Sequence, residues 1–116
     1  HDAGDRVLSA VPKIIRSALR ESDILARIGG DEFAVLLPDM KQSESLRVAE
    51  KVRRAVGGFS FRESGRAFDL GVSIGVVLID GRSSPAELLA RADEACYKAK
   101  AEGRNAVALW SDAAFA

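Results

Sequence analysis

Gly29-Gly30-Asp31-Glu32 combines the residue types most suited to chemistry in this chain. Backbone without side chains lets a ligand approach closely. Two neighbouring carboxylates supply the hard oxygen ligands that Mg²⁺ prefers. A small anionic ligand accompanied by a metal ion needs both. Taken alone, the same four residues are equally a glycine hairpin with solvated acids. Other candidates also have an ordinary account. Asp5 falls in the first turn of a helix, where the dipole favours an anion. Arg20 and Asp23 read as a surface ion pair worth little. Lys100 and Arg104 are spaced i, i+4 on one helix face, as a basic last turn would be. Cys96 sits among alanines with no histidine near it in sequence, so it reads as core.

The elements that must position these residues follow from periodicity. Val7, Leu8, Val11, Ile14, Ile15, Ala18 and Leu19 repeat at helical spacing over residues 4 to 20, with Pro12 expected to bend that helix or shift its start. Apolar runs at 24–26 and 34–37 flank Gly29-Gly30 as a hairpin, whose tight primed turn calls for positive φ at its centre. A second helix starts near Ser43, buries Leu46, Ala49, Val52 and Val56, and stops at Gly57-Gly58. Phe59 and Phe61, then Phe68, Leu70, Val72 and Ile74, alternate as a second strand pair, in which Gly75 marks a bulge or a close contact. Ser84, Pro85 and Glu87 form a capping box opening a third helix. Its buried stripe is Leu88, Leu89, Ala92, Ala95, Cys96 and Ala99, it ends at Gly103, and a strand follows from Ala106 to Trp110. The order α-β-β-α-β-β-α-β describes one α+β domain over residues 1–116, a sheet with helices packed against it.

Composition removes several function classes. Seventeen basic residues balance seventeen acidic ones, which gives no electrostatic case for nucleic acid or an anionic membrane as the main partner. One cysteine excludes an internal disulfide and fits a reducing compartment, the cytoplasm. No apolar run approaches the length of a membrane span, and no signal peptide is evident. The chain opens at His1 without a methionine, as a piece of something longer would.

Several segments in a fixed order resemble the GGDEF family, the diguanylate cyclase domain. They are His1-Asp2-Ala3-Gly4-Asp5, Arg20 and Asp23 ahead of Gly29-Gly30-Asp31-Glu32-Phe33, Val72-Ser73-Ile74-Gly75-Val76, and Ala92 to Asn105. The resemblance implies a nucleotidyl cyclase or polymerase-palm-like fold with a ferredoxin-like core and a central, mostly antiparallel sheet. It also implies condensation of two GTP molecules into cyclic di-GMP with release of two pyrophosphates, using Mg²⁺ or Mn²⁺, by a homodimer in bacterial second-messenger signalling. Asp31 and Glu32 align with the metal-binding and catalytic acids. Asp5, Leu8, Gly29, Gly30, Lys100 and Arg104 align with nucleotide contacts, Asp5 accepting from guanine and the two basic residues meeting phosphates. Arg20 and Asp23 match the inhibitory product site, where Lys51 stands for a family arginine and lacks its flat bidentate fork.

By the same resemblance, the family's domain begins before His1, with an aspartate-bearing strand and a short helix, and a sensor domain lies further upstream. Two expectations follow. The metal site of this polypeptide alone lacks a carboxylate, so the fragment is inactive. The sheet lacks an interior strand, which exposes unpaired backbone and apolar surface. The competing reading is a non-catalytic regulatory domain that binds GTP or cyclic di-GMP, of the kind fused to a phosphodiesterase domain in GGDEF-EAL proteins. A purely structural dimerisation piece is the third.

Overall fold

The two central strands are apolar on both faces, so each must be covered by helices from both sides. The computed structural model describes residues 2–57, 61–63, 66–68, 71–103 and 106–111, with backbone alone at 2–8, 61–63 and 66–68. In chain order the elements are α1 (Asp2–Ser17), β1 (Ile24–Arg27), β2 (Glu32–Pro38), α2 (Gln42–Gly57), β3 (Phe61–Glu63), β4 (Arg66–Phe68), β5 (Ser73–Ile79), α3 (Pro85–Glu102) and β6 (Ala106–Leu109). No described helix is long and apolar enough to cross a membrane.

The four-stranded sheet has the order β1-β2-β5-β6, and β3 and β4 form a separate antiparallel pair. β1 and β2 run antiparallel, as the hairpin requires. β2 and β5 run parallel, and so do β5 and β6. The α+β class therefore holds, but the mostly antiparallel sheet does not: it is mixed. The reason is connectivity, since α2 and α3 each carry the chain back across the sheet, and such crossovers join parallel strands.

The expected gap inside the sheet is not there either. β2 and β5 pair directly from Glu32↔Ser73 to Pro38↔Ile79. That pairing satisfies both backbones and keeps Phe33 to Leu37 and Val72 to Val77 buried. The expected second strand pair is also redrawn. The run expected as one strand from Phe68 to Ile74 divides into β4 and β5, and Gly71 between them has φ 64°. Phe59 and Leu70 lie outside the described residues.

Alternation then sorts side chains into two layers. Phe33, Val35, Leu37, Ile74, Val76 and Val107 meet Val11, Ile15 and Ala18 of α1 and its exit, and Ala49, Val52 and Val56 of α2. Ala34, Leu36 and Val77 meet Leu88 and Ala92 of α3, while Ala95 and Ala99 meet Ala108. A fully buried Val, Leu, Ile or Phe contributes about 1.5–3 kcal/mol relative to exposure, so these layers fix the helices on the sheet. The helix stripes differ from the expected ones at two leucines. Leu46 and Leu89 are exposed, at 56% and 45%, and Ser45 is buried in α2, its hydroxyl donating to the Gln42 carbonyl at 2.6 Å. α1 continues through Pro12 and ends at Ser17 rather than residue 20.

α3 has the expected start. Ser84 Oγ accepts from the Glu87 N–H at 3.1 Å, and the Glu87 carboxylate accepts from the Ser84 N–H at 2.8 Å. Those bonds hold the Glu87 carboxyl below its usual range. Gly103 ends the helix with φ 129°. Gly75 is the close contact that the sequence allowed for: a Cβ there would meet the Ala92 carbonyl at 2.4 Å and the Ala95 Cβ at 3.0 Å. That bare position lets α3 lie directly on β5, which sets where Lys100 arrives.

Candidate functional site

The glycine turn joins β1 to β2 at the end of the sheet where β5 also begins. Neither Gly29 nor Gly30 has positive φ, which overturns the primed-turn expectation. The connection is longer, and the Glu32 carbonyl accepts from the Ile28 N–H at 2.9 Å and the Gly29 N–H at 3.3 Å. The glycines are needed for space instead. A Cβ on Gly29 would sit 2.6 Å from Glu32 Oε1, so Gly29 makes room for that carboxylate. A Cβ on Gly30 would meet nothing within 4 Å, so bare backbone faces open space there.

Asp31 and Glu32 emerge side by side from this turn. The Asp31 carbonyl accepts from the Ser73 N–H at 2.9 Å, tying the turn to β5. Lys100, on α3, brings its Nζ to 3.4 Å from Glu32 Oε2 and 4.0 Å from Asp31 Oδ1. A cation thus already sits between the two acids. All three side chains are partly exposed (Lys100 55%, Asp31 48%, Glu32 25%), so the ion pairs are cheap to open. This donor set fits a hard divalent cation, because Mg²⁺ takes one or two carboxylates and completes its shell with water and phosphate oxygens. Among the described residues no group of three or more His, Cys, Asp or Glu side chains could hold a metal.

The structure therefore brings Gly29, Gly30, Asp31, Glu32 and Lys100 together. Asp5 and Leu8 lie on α1, where only the backbone is described, and Arg104 lies outside the described residues. Cys96 is buried under the turn, its thiol donating to the Phe33 carbonyl at 3.3 Å, and burial pushes its pKa up to about 11. It is core, as expected, and a poor nucleophile.

Arg20 and Asp23 are more than a surface pair. Asp23 is 3% exposed. Its carboxylate accepts from the Arg20 N–H at 2.7 Å and from Arg20 Nε and Nη2 at 3.0 and 2.7 Å. Burial pushes the Asp23 carboxyl upward, and the Arg20 hydrogen bonds outweigh it, leaving the group below its usual range. Arg20 Nη2 also donates to the Pro38 carbonyl at 2.7 Å, pinning the end of β2. Its Nη1 has no acceptor among the described residues. Lys51 is exposed on α2 and makes no ion pair with Asp23 or any other described residue.

Three supporting arginines were not singled out from sequence. Arg16 donates to the Asp23 and Arg20 carbonyls, closing the α1–β1 connection. Arg53 donates to the Val107 carbonyl at 2.8 Å, covering the outer edge of β6. Arg27 donates to the Gly29 and Gly30 carbonyls. Only its position at the strand end, three residues before Gly30, signalled that reach.

A cavity of about 520 Å³ lies elsewhere, lined by Gln42, Leu78, Asp80, Arg82, Arg91, Trp110 and Ser111. By strand register it is at the opposite end of the sheet, beyond the last residues of β5 and β6. Its polar walls are largely engaged with each other. Asp80 accepts from the Arg82 and Ser83 N–H groups and from Arg91, while Arg91 stacks on Trp110 at 4.5 Å. The open turn, not this hollow, presents acids, a lysine and bare backbone at one place.

An α+β sheet with an acidic turn at one end is the framework of the nucleotidyl cyclases with a palm-like fold. Residues 1–106 match the family described as "Diguanylate cyclase, GGDEF domain", and the chain belongs to that family. It is 40% identical over 111 residues to the probable diguanylate cyclase DgcE of Escherichia coli K12, covering 95% of this chain and 10% of that protein. The GGDEF domain of TpbB (or YfiN) from Pseudomonas aeruginosa superposes with a TM-score of 0.77 at 37% identity, covering 96% of this chain and 66% of that one. The GGDEF domain of DgcB from Caulobacter crescentus, solved in complex with c-di-GMP, has a TM-score of 0.69 at 28% identity, covering 94% and 66%. The chain spans 10% to 30% of the length of the first curated relatives it matches.

Proposed function

We propose that this chain is the cyclase domain of a cytoplasmic diguanylate cyclase that condenses two GTP molecules into cyclic di-GMP and two pyrophosphates. The observation that carries the reading is the turn itself, where Asp31, Glu32 and the Lys100 ammonium converge beside the open backbone of Gly30. Two protomers face each other, each holding one GTP. Each ribose 3′-oxygen bonds to the α-phosphorus of the other nucleotide, and the bond to the pyrophosphate oxygen breaks. Mg²⁺ or Mn²⁺, when bound, offsets the charge that develops on the phosphates.

The chain's own groups do the remaining work. Asp31 and Glu32 hold the cation, and Glu32 takes the 3′-hydroxyl proton. Gly29 and Gly30 give the nucleotide bare backbone to lie against. Lys100 and Arg104 meet the leaving phosphates. Asp5 accepts from the guanine N1 and exocyclic amine, both donors, and Leu8 lies against the base.

Arg20 and Asp23, with Lys51 as a weaker third member, form the product-inhibition site. The buried Asp23 fixes the Arg20 guanidinium and leaves Nη1 for the ligand. The test is product formation from GTP and Mg²⁺ by the full-length parent. Cyclic di-GMP is expected from the unaltered parent, and at least a hundredfold less from Asp31→Ala. An active parent in which Asp31→Ala loses nothing contradicts the assignment.

A further inference from the structure

Arg27 ends β1 opposite Phe33, and its guanidinium lies 5.9 Å from the Phe33 ring centroid. From there Nε reaches the Gly29 carbonyl at 3.2 Å and the Gly30 carbonyl at 3.0 Å, and Nη2 also donates to Gly30. One side chain therefore holds two consecutive peptide units. In a trans peptide the C=O and N–H of one unit point in opposite directions. Holding the Gly29 carbonyl inward turns the Gly30 N–H outward. Holding the Gly30 carbonyl turns the Asp31 N–H outward in the same way.

Those two N–H groups are the ones left over. The Ile28 and Gly29 N–H groups go to the Glu32 carbonyl, and the Asp31 carbonyl takes the Ser73 N–H. The Gly30 and Asp31 N–H groups have no protein acceptor among the described residues. Apart from its chain neighbours, nothing lies within 4 Å of where a Gly30 Cβ would be, so the space beside this turn is open. Successive backbone N–H groups presented together form a recess for an anion, and here it opens beside Asp31, Glu32 and Lys100.

We propose that Arg27 is a positioning residue: by holding the Gly29 and Gly30 carbonyls it presents the Gly30 and Asp31 N–H groups as a paired donor for a phosphate oxygen of GTP. The inference rests on the reading of this turn as the nucleotide site. Arg27 itself does not touch the nucleotide. A lysine in its place reaches one carbonyl but lacks the fork that holds two.

The experiment measures binding of 3′-deoxyGTP with Mg²⁺, which lacks the attacking hydroxyl, to the full-length parent by calorimetry. Guanosine, which has no phosphate, is the second ligand. Arg27→Ala is expected to weaken 3′-deoxyGTP about tenfold, the scale of a charge-assisted hydrogen bond, and to leave guanosine within about twofold. Arg27→Lys is expected to fall between Arg27→Ala and the unaltered protein. Equal affinity of all three proteins for 3′-deoxyGTP overturns the inference. So does a parallel loss of guanosine, which marks general damage to the fold. If the unaltered parent binds no 3′-deoxyGTP and makes no product from GTP, the functional reading itself fails. If Asp31→Ala abolishes product while Arg27→Ala binds normally, the functional reading stands and Arg27 has no such role.

Discussion

Gly75→Ala tests how the site is held at its proper depth. The new methyl would lie 2.4 Å from the Ala92 carbonyl oxygen, 3.0 Å from the Ala95 Cβ and 3.1 Å from the Cys96 nitrogen. Two of those three atoms are helix backbone and cannot rotate away. α3 must retreat from β5 by roughly 1 Å to restore ordinary contact. Overpacking of this kind costs about 1–3 kcal/mol. Removing a strand-interior glycine returns about 0.5–1 kcal/mol of backbone entropy. Taking the upper end of the cost, the net loss is about 2 kcal/mol, or a Tm lower by about 8 °C for a domain of this size. Urea unfolding followed by Trp110 fluorescence reads it directly, since Trp110 is the sole tryptophan. Gly30→Ala is the control: its methyl meets nothing within 4 Å and its φ is not positive, so stability should stay within about 0.5 kcal/mol. An unchanged midpoint for Gly75→Ala, or equal damage from both variants, refutes the reasoning.

Lys100→Met frees the two acids from their resident cation. Without nucleotide, Mn²⁺ should bind about threefold more tightly by calorimetry, a small change because the pairs are exposed. GTP should bind more weakly to the same variant. Cys96 is buried with its pKa raised to about 11, so an aromatic disulfide reagent at pH 8 should react only as fast as the protein opens, and urea should accelerate it. Because the folded pKa lies above that of the unfolded thiol, the stability linked to neutral Cys96 is complete below about pH 8.5 and is lost as pH rises through 11. Asp23 runs the other way. Its lowered folded pKa gives stability above about pH 3.9 that disappears as pH falls through the folded value. In acid titrations Asp23→Asn should be less stable at neutral pH and show a shallower acid limb.

The helices and the hairpin were legible because their signals are local. Ser84, Pro85 and Glu87 open α3 as their spacing requires, and the alternation around Phe33 and Val35 fixes which faces of β2 are buried. Sheet direction was not legible in the same way, since it depends on which strand β5 finds beside it, and that is decided by long-range pairing of Glu32 to Pro38 with Ser73 to Ile79. Leu46 and Leu89 fit the apolar stripes, yet each stands one residue past the buried Ser45 or Leu88 and is exposed. At the site, Asp31 and Glu32 could be named from sequence, and their convergence with Lys100 depends on α3 packing against Gly75. The burial of Asp23 escaped the sequence reading because a short Arg-x-x-Asp segment looks the same whether it is solvated or, as here, closed by Arg16 and the Pro38 carbonyl.

The account stands on nucleotide and cation meeting at the turn between β1 and β2. Amide NMR of the isotope-labelled protein with GTP and Mn²⁺ measures that most directly, because the paramagnetic ion broadens only nearby signals. Broadening centred on residues 29–32, extending to Ser73 and the last turn of α3, is the predicted result. Broadening centred instead on Asp80, Arg82 and Arg91 at the far end of the sheet, with the turn unaffected, would contradict it.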